Sequence, residues 1–412
     1  MNKQYLKICL TLAASLIIVS CSNNTQKNQT SSTITMQTKQ HWPQNINFAA
    51  NKIDFANSKT LGSLGQKWKK NNSTINIVHF GDSHIQPGWQ VGPLRDTFQS
   101  IRGNAGRGII FPYTIAKTYS QEDYSSRFTG QWKTANSIQQ YPKIALGISG
   151  FVARTTDPST QVSFYFKKII SHDTINATLL FKADGDYRLT LNSGSQSQSI
   201  NVSAQSNTQA VNFSLNNAGQ EITLTIQAIN PNSTFEFHGL NLTSPQNSGV
   251  IYHNLGVGGA AYSALIQQRL FEQQFPLLDA DLVILDWGTN DVIYTNQIDE
   301  NLETTIRQTI RKVRTLKPNA AILLTSVQEA RYRGKNVTIS EKYAQMVKRI
   351  AKDEGTLFYD WYTISGEHGS VANWHSLGFA SKDGIHLNGK GYRIRAKLLS
   401  DAILKALENN RN

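Results

Sequence analysis

The hydrophobic pattern changes period along this 412-residue chain, and no single type of layer satisfies all of it. Ile75-Asn76-Ile77-Val78-His79-Phe80 is a short, largely β-branched run stopped by Gly81, which reads as a buried strand. Residues 92–101 read as a helix and 103–112 (GNAGRGIIFP) as a glycine-rich loop. From about 125 to 248 apolar residues recur at every second position: Val162, Phe164 and Phe166, then Val211, Phe213 and Leu215, then Ile222, Leu224 and Ile226. Turn-rich patches such as Asp184-Gly185-Asp186 separate these runs, with no helical stripe between them. That is the pattern of an antiparallel β-sandwich. After 249 the period switches again. Strands are expected at 250–255, 280–287, 320–325 and 356–359, with helices near 260–274, along the Leu302, Ile306, Ile310, Val313 stripe, and at 340–353 and 389–408.

Strand–helix alternation predicts a parallel sheet covered on both faces. The early strand at 75–80 belongs to the same sheet, so the β-rich stretch interrupts it. The expected fold is α/β: a three-layer α/β/α domain with a parallel sheet, made of residues 46–124 and 249–412, interrupted by an inserted all-β sandwich over 125–248. Charged residues make up 17% of the chain, below the usual ~25%. Ser, Thr, Asn and Gln fill the gap, which suits an extracytoplasmic β-rich or carbohydrate-facing protein better than a coiled coil. The formal charge of +13 directs attention to anionic partners.

The first twenty residues read as a leader. Lys3 and Lys7 precede an apolar stretch, 8–20, which is too short to cross a bilayer but suits a secretory signal. It ends Ile18-Val19-Ser20-Cys21, which resembles a bacterial lipobox. The resemblance implies cleavage before Cys21 and lipidation of its sulfur, followed by a polar tether over 21–45. Loss of Lys3 and Lys7 lowers the formal charge from +13 to +11. Cys9 and Cys21 are the only cysteines. The mature chain would therefore hold no free thiol, which excludes a disulfide scaffold, a thiol catalyst and a cysteine metal site. No later segment is apolar enough to span a membrane.

Reactive groups in a parallel sheet sit just past the strand C-termini. There the sequence offers Gly81-Asp82-Ser83-His84, then Asn254-Leu255-Gly256-Val257-Gly258-Gly259-Ala260, then Gly288-Thr289-Asn290-Asp291, and after the last strand Asp383-Gly384-Ile385-His386. Serine is a poor nucleophile until a base takes its proton, and His386 is the candidate base. Asp383, three residues earlier, can fix its tautomer and stabilise the imidazolium. An oxyanion needs donors, which the Ser83 and Gly259 amides and the Asn290 side chain can supply.

Together the four blocks resemble the SGNH, or GDSL-like, hydrolases. The resemblance implies an SGNH-type fold with Ser83, Asp383 and His386 as the catalytic triad and Ser83, Gly259 and Asn290 as the oxyanion hole. Ser83 and Gly259 lie 176 residues apart, whereas Gly259 and Asn290 lie 31 apart. Such a split, with GDSHIQPG at 81–88, is similar to bacterial peptidoglycan O-acetylesterases carrying a carbohydrate-binding-module-like insertion.

Other residues have plainer readings. Asp82 and His84 shape the turn, and Asp291 caps or braces. The remaining histidines show no metal-binding spacing, so neither metal nor cofactor is expected. Trp68, Trp132 and Trp374 read as packing, and Trp89, near Ser83, is the best sugar-stacking candidate. Basic residues on the helices, such as Arg307, Arg311 and Arg314, read as a solvent face, and nothing indicates nucleic acid. The expected function is removal of O-acetyl groups from a cell-envelope polysaccharide, peptidoglycan foremost, through acetyl-Ser83. An esterase for another acetylated polymer, a polysaccharide O-acetyltransferase and a non-enzymatic glycan-binding lipoprotein are the alternatives. The expected location is the cell envelope, on a lipid anchor at Cys21 facing the periplasm or outer membrane.

Overall fold

The computed structural model describes residues 42–409, apart from 71, 171–172, 247 and 295–296. The expected leader, Cys21 and the tether as far as residue 41 lie outside the described residues. Packing is already present at the end of the expected tether, where Pro43 is buried and Asn45 Nδ2 donates to Ser365 O at 3.1 Å.

Among the described residues eighteen strands follow in order: β1 Thr74–Gly81, β2 Asn104–Ile110, β3 Tyr124–Phe128, β4 Lys133–Asn136, β5 Phe151–Thr155, β6 Ser159–Phe166, β7 Ile175–Ala183, β8 Tyr187–Ser193 and β9 Gln196–Val202. The rest are β10 Gln209–Leu215, β11 Glu221–Ala228, β12 Phe235–Thr243, β13 Gly249–Gly256, β14 Leu282–Asp286, β15 Ala321–Thr325, β16 Arg331–Tyr332, β17 Lys335–Asn336 and β18 Leu357–Tyr359. The large sheet runs β10-β7-β12-β2-β13-β1-β14-β15-β18, with β5 joined to β12 and β4 to β5. From β2 to β18 every pairing is parallel. From β12 outward every pairing is antiparallel. A second antiparallel sheet, β3-β6-β11-β8-β9, completes the sandwich.

Parallel strands here bury both faces, which explains their unbroken apolar runs. Ile75 and Ile77 of β1 pack under the helices Lys59–Lys69, Val91–Arg102 and Gly389–Asn409. Val78 and Phe80 point the other way, into the core shared with helices Leu302–Leu316 and Ser340–Glu354. Sandwich strands bury alternate residues: in β8, Tyr187, Leu189 and Leu191 are buried while Arg188 is exposed.

Two local expectations differ from the structure. Residues 104–110 form a strand, not a loop, and it is the seam strand, parallel to β13 on one side and antiparallel to β12 on the other. Its glycines hide the period. Gly106 sits at φ +142°, and a β-carbon there would lie 2.5 Å from Leu242 O. The register slips at Leu242/Thr243 and at Val250/Ile251, so this glycine lets two strand types share one ladder. The helix expected over 260–274 is two separate turns, Ser263–Ile266 and Phe271–Gln274. The insertion is thus fused to the α/β sheet by main-chain bonds, and among the described residues one apolar cluster runs through both, from Phe164 and Phe237 to Ile310 and Val347.

Candidate active site

Each parallel strand delivers its loop to the same edge of the sheet. β1 ends at Gly81, two residues before Ser83; β13 ends at Gly256, before the Gly258-Gly259 turn; β14 ends at Asp286, before Asn290. Asp383 and His386 do not follow a strand directly, contrary to expectation. They sit on a loop between helices Ser370–Ser376 and Gly389–Asn409. An isolated bridge between Ala380 and Leu387 pinches this loop, and Ser381 N donates to His386 O at 2.8 Å.

The three residues meet. Ser83 Oγ lies 2.7 Å from His386 Nε2, and His386 Nδ1 lies 2.7 Å from Asp383 Oδ2. A carboxylate only accepts, so Nδ1 carries the proton and Nε2 is left to accept the serine hydroxyl. Asp383 Oδ1 accepts the Ile385 and His386 amides at 2.9 and 3.0 Å. Partial burial would raise this carboxyl, but those amides and the imidazole outweigh it and hold it below the usual range.

Ser83 and Gly259 amides donate to no protein acceptor among the described residues, which leaves them for a developing oxyanion. Gly259 adopts φ +83°, a conformation that suits glycine. Asn290 faces the same cleft, but its two amide hydrogens already have acceptors, Ala260 O at 2.9 Å and Asp82 Oδ2 at 3.3 Å. The longer bond is the weaker, and burial pushes the Asp82 carboxyl up to about 8. Asp82 is therefore mostly protonated at neutral pH, a poorer acceptor, and this hydrogen can be released to an oxyanion.

Asp82 Oδ1 also accepts the His84 amide at 2.9 Å, the turn-shaping role expected of it. His84 is buried, which drives its pKa far below the ordinary value, and its ring centroid lies 5.0 Å from that of His386. Asp291 accepts the Tyr262 amide at 3.3 Å and so braces the oxyanion turn; burial lifts its carboxyl to about 7. Beneath the site Asp286 is held by Arg395 at 2.8 and 3.0 Å and by Thr325 Oγ1 at 2.5 Å. Burial would raise Asp286, yet these partners and His79 keep it ionised far below the usual range.

Other contributors complete the site, and of these Tyr392 and Lys167 carry no sequence signal of their own. Gln86 accepts the Gly258 amide at 2.6 Å and donates to Tyr119 O at 2.7 Å, tying the nucleophile loop to the oxyanion turn. Tyr392 shares a hydrogen bond of 2.8 Å with His84 Nδ1. The cleft over Ser83 has a volume of about 820 Å³, with Trp89, Tyr119 and Tyr392 in its walls. Trp89 is 40% exposed, whereas Trp68 and Trp374 are buried in the core and Trp132 Nε1 donates to Thr129 O. Lys167, directly after β6 of the insertion, also reaches the cleft. No group of acidic, histidine or cysteine side chains among the described residues could hold a metal ion.

Residues 239–394 match the GDSL-like Lipase/Acylhydrolase family. The chain carries a GDSL-like acylhydrolase domain. It is a carboxylic ester hydrolase. The match takes in Gly259, Asn290, Asp383 and His386 and begins within β12, near the end of the insertion, so it leaves out Ser83. A solved peptidoglycan O-acetylesterase superimposes with a TM-score of 0.71 at 23% identity, over 88% of this chain and 98% of that one. At that identity the likeness carries the fold, insertion included. A family two carbohydrate esterase from Clostridium thermocellum (TM-score 0.29, 12% identity, 62% of this chain and 93% of that one) adds no weight. Nor does a GDSL-like lipase from Bacteroides thetaiotaomicron (TM-score 0.30, 25% identity, 38% and 76%). A search of curated protein sequences returns no match.

Proposed function

We propose that this hydrolase removes O-acetyl groups from a cell-envelope polysaccharide, with peptidoglycan as the preferred substrate, and that it acts through an acetyl-Ser83 intermediate. The observation that carries the proposal is the continuous Ser83–His386–Asp383 hydrogen-bond chain opening on a cleft of about 820 Å³. His386 Nε2 takes the Ser83 proton as Oγ attacks the acetyl carbonyl. The oxyanion is received by the Ser83 and Gly259 amides and the Asn290 side chain. Collapse expels the sugar oxygen, which takes the proton from His386. Water, deprotonated by the same nitrogen, then cleaves the acetyl-serine to acetate. Every proton passes through one imidazole, and Asp383 stabilises it while charged.

A polymer substrate is supported by the open cleft and by Trp89 and Tyr119 in its wall, aromatic surfaces on which a sugar ring can stack. The insertion, over about 125–248, is assigned to holding the glycan. The lipobox-like Ser20-Cys21 step supports a lipid-anchored protein of the cell envelope, and the similarity of fold to a peptidoglycan O-acetylesterase supports the choice of polymer. The test is acetate release from O-acetylated peptidoglycan beside acetylated xylan. Faster release from peptidoglycan is expected. Release from xylan alone would remove the preferred substrate and leave the esterase.

A further inference from the structure

The basic excess of this chain divides into paired and unpaired charges. On helix Leu302–Leu316, Arg307 pairs with Glu303, Asp353 and Glu354, and Arg311 and Arg314 both reach Glu354. That face is neutralised internally. Lys167 and Lys168 are different. Neither lies within ion-pair distance of a carboxylate among the described residues, and both are exposed. Yet Lys167 is held in place: its amide donates to Asp123 O at 2.9 Å, and its carbonyl accepts Gln220 Nε2 at 3.0 Å.

Lys167 borders two cavities. One is the cleft over Ser83. The other, of about 330 Å³, lies between helix Val91–Arg102 and the β6–β7 loop, and contains Arg95, Arg107 and Lys168. Glu122 and Lys167 line both, so the cavities adjoin. Asp123 accepts from Arg95 and Arg107 at once, and one carboxylate cannot balance two guanidiniums. Arg107 is committed to Asp123, Gln121 and Ile109 O. Arg95, a tenth exposed, is bonded to Asp123 through Nη2 only. Four cations, Arg95, Arg107, Lys167 and Lys168, thus face three carboxyls, Asp96, Glu122 and Asp123. The surplus is a single positive charge. It matches a monoanion, while Asp96 and Glu122 in the wall would repel a dianionic phosphate.

We infer that this second cavity is a carboxylate-binding subsite, in which Lys167 and Lys168 hold an acidic substituent of the same polymer whose acetyl ester lies at Ser83. The inference rests on the proposed polysaccharide esterase activity. It gives the insertion a specific task, which is to read charge beside the ester. The carboxylate could belong to a peptide side branch or to the sugar ring, and the substrates below separate the two.

The experiment measures kcat/KM for acetate release from O-acetylated peptidoglycan, O-acetylated alginate and neutral acetylated glucomannan. The proteins compared are the wild type, Lys167→Ala/Lys168→Ala and Lys167→Arg/Lys168→Arg. The anionic-to-neutral ratio within each protein cancels any loss of folded enzyme. The alanine pair is expected to lower that ratio about tenfold on the polymer that carries the recognised carboxylate, and the arginine pair is expected to keep it. Wild-type preference is expected to weaken with added salt, since the lysines are exposed. A fall on peptidoglycan alone assigns the carboxylate to the peptide; a fall on alginate assigns it to the ring. An unchanged ratio on both, with wild-type activity present, overturns the subsite and spares the esterase. No release from any polymer by the wild type overturns both.

Discussion

The two halves of the large sheet use the same backbone differently. In the parallel half every strand points the same way, so the loops after β1, β13 and β14 emerge at one edge, bringing Ser83, Gly259 and Asn290 together. In the antiparallel half successive strands reverse, and their loops divide between two ends. Convergence of several loops on one atom is unavailable there, and among the described residues no strand of this half lines the cleft; Lys167, in its wall, follows β6 of the second sheet. The difference teaches where each task can reside. Chemistry needs several groups within hydrogen-bond reach of one point, which parallel strands provide. Holding a polymer needs an extended surface, which a sandwich flank provides. The seam strand β2 joins the two halves mechanically, since it belongs to both ladders.

The sharpest way to break this division is to damage the chemical half alone. Asn290→Ala removes one oxyanion donor and the bond to Ala260 O. It is expected to lower kcat on p-nitrophenyl acetate about 10²–10³-fold; a loss under threefold would exclude Asn290 from the oxyanion hole. Next in size is the seam. Gly106→Ala forces an alanine to φ +142° beside Leu242 O, costing about 3 kcal/mol. Calorimetry should show one transition moved to lower temperature, because the halves share a sheet and a core. Two separated transitions would mean that they fold independently.

A third prediction concerns pH. Asp82, near 8 in the folded state, keeps a proton that the unfolded chain has released above about 4. The folded state then binds more protons, so stability falls as pH rises between those values, by about 1.4 kcal/mol per unit for this group. Asp291, near 7, acts in the same direction up to that pH. Asp82→Asn should flatten urea midpoints measured across pH 5 to 8, the window set by those shifts. An unaltered slope would show that Asp82 is ionised in the folded protein.

Much of the chemical half was legible in the sequence, because its four blocks are short, local in sequence and rich in Gly, Asp, Ser, Asn and His. The same locality explains what was missed. Asp383 and His386 were expected after a strand, yet a pinched loop carries them, since a two-residue bridge leaves no periodic trace. The glycines of 103–108 concealed β2, because a strand tolerating φ +142° has no side chain to alternate. Lys167 looked like any surface lysine at the end of an alternating run. Its place in the wall of the cleft depends on how β3 and β6 meet the loop at 121–123, a contact between segments over forty residues apart. Tyr392 looked like one more residue of an apolar helix, and its bond to His84 spans 308 positions.

The most direct test compares wild type and Ser83→Ala in p-nitrophenyl acetate hydrolysis, with circular dichroism to confirm equal folding. Ser83 is half-buried, its hydroxyl bonded to His386, so its loss should leave the fold intact. A fall of at least about 10⁴-fold in kcat is predicted, leaving the residue attributable to the oxyanion donors and binding. Equal rates in the two proteins would contradict the account.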